Sequence, residues 1–99
     1  MIIVTGHAIA RNDTVLEVQQ LALAHVLRSR TEHGCVSHAV SRDVEEPMKF
    51  VFVERWSDMH ALQAHFRLHA SRQFARDLTA LCDAPPQMVI YSAEEIRVG

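Results

Sequence analysis

The nine residues MKFVFVERW, 48–56, limit the folds open to this chain more than any other stretch. They alternate as a β-strand, yet both parities are apolar for most of the run: Phe50, Phe52 and Trp56 on one side, Val51 and Val53 on the other. The first strand-like segment, IIVTGHAIA (2–10), repeats this, with Ile2, Val4 and Ala8 against Ile3, Thr5 and Ile9. A sheet of such strands cannot leave either face in water without exposing a large apolar patch. Helices must cover one face, and something else must cover the other.

The remaining segments supply the helices. RNDT (11–14) breaks the first strand, and Asp13 or Thr14 is placed to cap a helix whose first turn holds Glu17 at the positive dipole end. Residues 15–33 carry Val15, Val18, Leu21, Ala22 and Val26 at helical spacing, and Gly34 is expected at the C′ position. CVSHAVSRD (35–43) alternates as a second strand, VEEP (44–47) turns, and 48–56 is its hairpin partner. Ser57 or Asp58 caps a short helix reaching about His65. Ser71 is expected to cap another at 72–82, with Phe74, Leu78 and Leu81 on its apolar face. Pro85 and Pro86 end the helical region, and QMVIYSA (87–93) forms a last strand.

The order β-α-β-β-α-β predicts an α+β, ferredoxin-like domain over 1–99, a four-stranded antiparallel sheet with helices on one face. A second copy is the simplest cover for the bare face, so a homodimer with sheets packed face to face is expected.

Several function classes lose their signals. The net charge is −2 and the ten basic residues are scattered, without the stripe that nucleic acid requires. MIIVTGHAIA has no basic leader and only a short apolar run, so neither a signal peptide nor a membrane span is expected. Cys35 and Cys82 then read as unpaired thiols in a reducing cytoplasm, and neither has a neighbouring base to make it a nucleophile. No Gly-rich phosphate loop, GxSxG or CxxC is present.

The candidate chemistry lies in the polar groups set among apolar ones. Glu54 shares its strand face with Phe50, Phe52 and Trp56, so it needs a partner or has a raised pKa; pairing with an arginine is the structural alternative. Trp56 is either core or a stacking wall for a flat ligand. His65, three residues after Leu62, faces the sheet if Leu62 does, either as a general base near neutral pH or as a core histidine. His65 and His69 have the spacing of two helical metal ligands but lack a third, and read as helix-surface residues. His60 falls on a solvated side. His25 and Ser29 continue the buried row of Val18 and Ala22, lining a cavity or tying the helix down. His38 shares parity with Val36 and Val40, and His7 with Ile3 and Thr5; which of them points inward is open.

The run GCVSHAVSRDVEEPMKFVFVERWSDMHALQAHF, followed by ASRQFARDL and the closing PPQMVIYSAEE, resembles the antibiotic biosynthesis monooxygenase (ABM) domain. The resemblance covers about residues 2–93 and is most characteristic at 54–65. It implies the dimeric α+β barrel superfamily, with a pocket in each subunit between sheet and helices. It also implies oxidation of a small electron-rich aromatic, such as a quinol, by molecular oxygen with no cofactor: no flavin, haem or metal. Carried over by position, Trp56 would be the ring wall, His65 the base or anion partner, and Glu54 an orienting group or proton acceptor. Phe52 and Phe66 would line the cavity with His25 and His38, and Arg76 would steady oxyanion charge. The chain departs from some oxidising members at Leu62, where they have tyrosine, and at Phe52, where they have an amide. A non-catalytic barrel binding a small hydrophobic molecule is the alternative. Haem binding or degradation ranks third, since the first strand lacks the asparagine of haem-degrading relatives and offers only His7.

Overall fold

The computed structural model describes residues 1–99. The elements run β1 (Ile2–Ile9), α1 (Val15–Ser29), β2 (Cys35–Arg42), β3 (Lys49–Trp56), α2 (Met59–Arg67), α3 (His69–Ala80) and β4 (Gln87–Ser92). The strands form one antiparallel sheet in the order β2-β3-β1-β4, the α+β ferredoxin-like fold. No helix is long and apolar enough to cross a membrane.

Register decides what meets beneath the helices. Even-numbered residues of β1 and β3 face inward: Ile2, Val4 and Ala8, with Phe50, Phe52, Glu54 and Trp56, are all buried. Val4 pairs with Glu54, and Glu54 with His38, so a carboxylate and an imidazole lie side by side in one row of the sheet. Odd-numbered His7 lies on the opposite, bare face, paired with Val51. A β-bulge between Cys35 and Ser37 breaks the alternation expected for β2. Val36 is the extra residue and is exposed, while Cys35 packs inward with His38 and Val40. One unpaired residue per bulge shifts the parity of everything before it.

Two apolar clusters fill the space between sheet and helices. One joins Phe50, Phe52, Val18, Ala22, Val26 and Leu78; the other joins Ile2, Val4, Trp56, Ala61 and Leu62. Trp56 is wholly buried, and truncating such a residue to alanine costs about 3–5 kcal/mol.

The helix ends differ from the sequence expectation in three places. Thr14 is the N-cap of α1, but its hydroxyl donates instead to the Leu81 carbonyl at 2.8 Å, tying the start of α1 to the end of α3. α1 closes at Ser29, so Gly34 is not its C′ residue. Gly34 has φ +84°, and a Cβ there would stand 2.4 Å from the Ala61 Cβ; its role is to let the turn press against α2. Asp58 caps α2 by accepting from the Ala61 N–H at 2.8 Å. The backbone becomes extended at Leu68, and α3 begins at His69, which leaves Ser71 in the first turn and not at the cap.

Candidate active site

A cavity of about 350 Å³ opens between the sheet and α1, α2 and α3. This is within the range of small-molecule pockets. Phe52, Phe66 and Phe74 supply aromatic walls, His25, Glu54 and His65 reach it from three elements, and His7 of β1 stands at its border. Pro85, Pro86 and Met88 complete the rim where the chain enters β4. Gly6 stands opposite Phe52 and Met88 in the sheet; a Cβ there would lie 3.1 Å from the Gln87 carbonyl oxygen and would fill the floor.

His65 reaches this place because Leu62 and Ala61 anchor the same face of α2 against Trp56. Its Nδ1 is 2.6 Å from Glu32 Oε1 in the turn after α1. A carboxylate only accepts, so Nδ1 carries the proton, and in the neutral ring Nε2 is the nitrogen with the lone pair. This is the arrangement of a general base held by an orienting carboxylate. Ser71 Oγ lies 3.4 Å from the same Nδ1. Glu32 had no sequence signal: it lies in a stretch read as the end of a helix, and only the close seating of Gly34 on α2 brings it within reach.

His25 stacks on Phe74, with ring centres 3.8 Å apart and planes 4° from parallel. Arg28 Nη2 donates to its Nδ1 at 3.0 Å. An arginine only donates, so neutral His25 carries its proton on Nε2 and is a hydrogen-bond donor. Its pKa is lowered to about 3, chiefly by burial, then by the positive charges that His65, His38 and Arg28 would set beside it.

Glu54 accepts from Trp56 Nε1 at 2.9 Å and lies 3.3 Å from His38 Nε2, without the alignment of a hydrogen bond. Burial pushes its carboxyl up, but His38, the Trp56 indole and His65 together outweigh it and hold Glu54 below the ordinary carboxylate range. The raised value that its aromatic neighbours suggested does not occur, because Glu54 has partners, and they are histidine and indole where an arginine was the alternative. Burial raises both cysteine thiols, which leaves neither poised as a thiolate.

Of the residues singled out in the sequence, His7, His25, Phe52, Glu54, His65 and Phe66 border the cavity, His7 from a strand position whose parity belongs to the bare face. His38 is buried beside Glu54, behind that lining. Trp56 is not a cavity wall; it is fully buried, 4.7 Å from His65 between ring centres, and acts on the site through Glu54. Arg76 is not in the cavity either, but exposed on α3, donating to Gln73 at 3.1 Å. His69 is exposed beyond the break at Leu68, away from the buried His65. Phe74 and Arg28 joined the site unforeseen. An apolar position on a helix gives no sign of the imidazole stacked on it.

The family profile described as antibiotic biosynthesis monooxygenase matches residues 1–77. A candidate antibiotic biosynthesis monooxygenase from Deinococcus radiodurans superposes with a TM-score of 0.94 at 27% identity, covering 100% of this chain and 99% of that one. A second such candidate, from Nitrosomonas europaea, is 20% identical with a TM-score of 0.85 over 94% of this chain and 98% of its own, and speaks to the fold alone. An uncharacterized protein of Synechocystis sp. is 30% identical over 96 residues, 97% of this chain; the chain spans 65% of that relative's length. On the family profile and these likenesses, the chain belongs to the antibiotic biosynthesis monooxygenase family.

Proposed function

We propose that this protein is a cofactor-independent monooxygenase that oxidises a quinol or polyphenol-like aromatic with molecular oxygen. The observation that carries this reading is the Glu32–His65 pair at a cavity walled by three phenylalanines. His65 Nε2 takes the phenolic proton, and Glu32 steadies the imidazolium through Nδ1–H. The neutral His25 Nε2–H donates to the phenolate oxygen and holds the developing charge. The electron-rich anion passes one electron to dioxygen. The radical pair then recombines with a new C–O bond at a ring carbon bearing hydrogen, and the imidazolium returns its proton to the peroxide. Loss of water leaves that carbon as a carbonyl: one oxygen atom stays on the product, the other departs as water, and no external reductant is consumed. Phe52 on the cavity wall offers no polar contact to extra hydroxyls, which favours a flat, sparsely hydroxylated ring.

The whole chain is proposed to act as one domain and as a homodimer closed through the bare sheet face. That face and the β4 edge leave Ile9, Val53, Val89 and Tyr91 each 42–50% exposed, large apolar side chains grouped on one face of the kind that mark an interface. Sedimentation at micromolar concentration should give twice 11.2 kDa; a stable species of 11.2 kDa removes the dimer. Oxygen uptake over a hydroquinone panel tests the reaction. If no quinol drives uptake above buffer while aromatic ligands still raise Tm, the chain is a non-catalytic binder of small hydrophobic molecules. A Soret band on haem titration would turn the reading toward haem.

A further inference from the structure

Three histidines from three elements, His25 of α1, His38 of β2 and His65 of α2, converge beside the cavity, each offering a ring nitrogen within 4.8 Å of the others. Their ring centres are 5.3, 5.2 and 5.8 Å apart. A tetrahedral ion bonded to three imidazole nitrogens at about 2.1 Å would set the ring centres about 5.3 Å from one another. The ring centres therefore stand near the spacing of a metal centre, and the nitrogens, within 4.8 Å of one another, must draw closer around an ion.

We propose that His25, His38 and His65 form a binding site for one divalent first-row transition-metal ion. The observation that points to a ligand is His38: it is 1% exposed, yet neither Nδ1 nor Nε2 has an aligned hydrogen-bond partner. Buried polar atoms are almost always satisfied, and this ring has no partner at Nδ1 and at Nε2 only the unaligned Glu54 carboxylate. The surroundings suit a cation. Glu32 fixes the tautomer of His65 that leaves Nε2 free, as carboxylates commonly do for metal-binding imidazoles. Glu54 stands 3.3 Å from His38 Nε2 and adds a second carboxylate. Three imidazoles favour Zn²⁺, Fe²⁺, Co²⁺, Ni²⁺ or Cu²⁺ over oxygen-seeking Mg²⁺ or Ca²⁺. Three protein ligands with a remaining position toward the cavity is the pattern of sites that admit an exogenous ligand.

Arg28 is the opposing group. Its bond to His25 Nδ1 must be released before His25 Nε2 can ligate, and the Ala70 carbonyl oxygen, 3.5 Å from Arg28 Nη2, is the alternative acceptor. The ion and a phenolic proton compete for His65 Nε2, so this site goes beyond the proposed oxidation and does not depend on it.

Titration of the full, tag-free chain with Co²⁺ tests the site by visible d–d absorption, whether or not any quinol is oxidised. One saturable equivalent per chain is expected, displaced by Zn²⁺, and His38→Ala should weaken it by at least ~10-fold. Arg28→Met should tighten Co²⁺ binding several-fold, a gain that a folding defect cannot mimic. Absence of a saturable band in the wild type, a band unchanged in folded His38→Ala, or unchanged or weaker binding in Arg28→Met would each overturn the assignment. An unchanged band would place the ion on surface histidines such as His33 or His60.

Discussion

Two histidine–glutamate pairs sit side by side in this molecule, with imidazole centres 5.8 Å apart, and they are built differently. His65 and Glu32 are joined by one short aligned bond of 2.6 Å, between a helix and a turn. His38 and Glu54 are neighbours in adjacent strands, held at 3.3 Å by sheet register, with the carboxylate already engaged by Trp56. A strand ladder fixes where side chains stand but not how their atoms point. The turn, free of a ladder, aligns its carboxylate on the imidazole. On the proposed mechanism, the difference separates the pair that handles the proton from one that shapes the charge around it.

The largest way to break this comparison is His65→Ala, which should lower oxygen uptake on the best quinol by about 10²–10⁴-fold, the range for loss of a positioned base. The matching His38→Ala should change kcat far less while still lowering Tm, because its ring fills buried volume beside Trp56. Equal losses in the two variants would end the assignment of separate roles.

Acid comes next. His25 is held neutral in the fold, its pKa lowered to about 3 from 6.5. Between those values the unfolded chain binds a proton that the folded chain refuses. Stability therefore falls as pH drops below 6.5, by at most about 1.4 kcal/mol per pH unit. Glu54, held low, adds its own loss only further down: its contribution is present above the ordinary carboxylate pKa and disappears as pH falls through its depressed value. A Tm profile from pH 7 to 4 should fall continuously, and His25→Phe should flatten its upper part.

Glu32→Gln is a gentler cut. It keeps a hydrogen bond to His65 Nδ1 but removes the charge that steadies the imidazolium, and kcat should fall about 10-fold with Tm nearly unchanged. Smallest is Glu54→Gln, which retains an oxygen for Trp56 Nε1; unfolding in urea should show a loss of about 1 kcal/mol. Glu54→Ala, leaving the indole N–H unpaired, should cost about twice that.

The sequence disclosed the skeleton more fully than the site. Alternation in 2–10 and 48–56 and the helical rows at 15–26 and 72–82 are local patterns, and they dictate the strand order that places Glu54 and His65 over one floor. Glu32, Arg28 and Phe74 act through contacts between distant segments, which no local period encodes. The family resemblance implies Trp56 as a cavity wall, and its strand face, shared with Phe52, leaves core and wall both open; α2 closes over the Trp56 end, and the cavity lies nearer Phe52. The bulge at Val36 is likewise silent, since CVSHAV alternates acceptably in either register. Gly34, expected as the C′ residue of α1, instead adopts φ +84° in the later turn, and its larger effect is thickness: it sets how near the turn lies to α2, and so whether Glu32 can touch His65.

The outer strand has a consequence of its own. All six residues of β4 are exposed, and the strand pairs only with β1, so its other edge offers free backbone donors and acceptors. Gln87 and Met88 of that same strand form part of the cavity rim. Whatever docks along this edge also stiffens the mouth of the cavity, and whatever fills the cavity braces the edge. Were the proposed ligand and a partner on this edge both to bind, linkage would make each strengthen the other by the same factor.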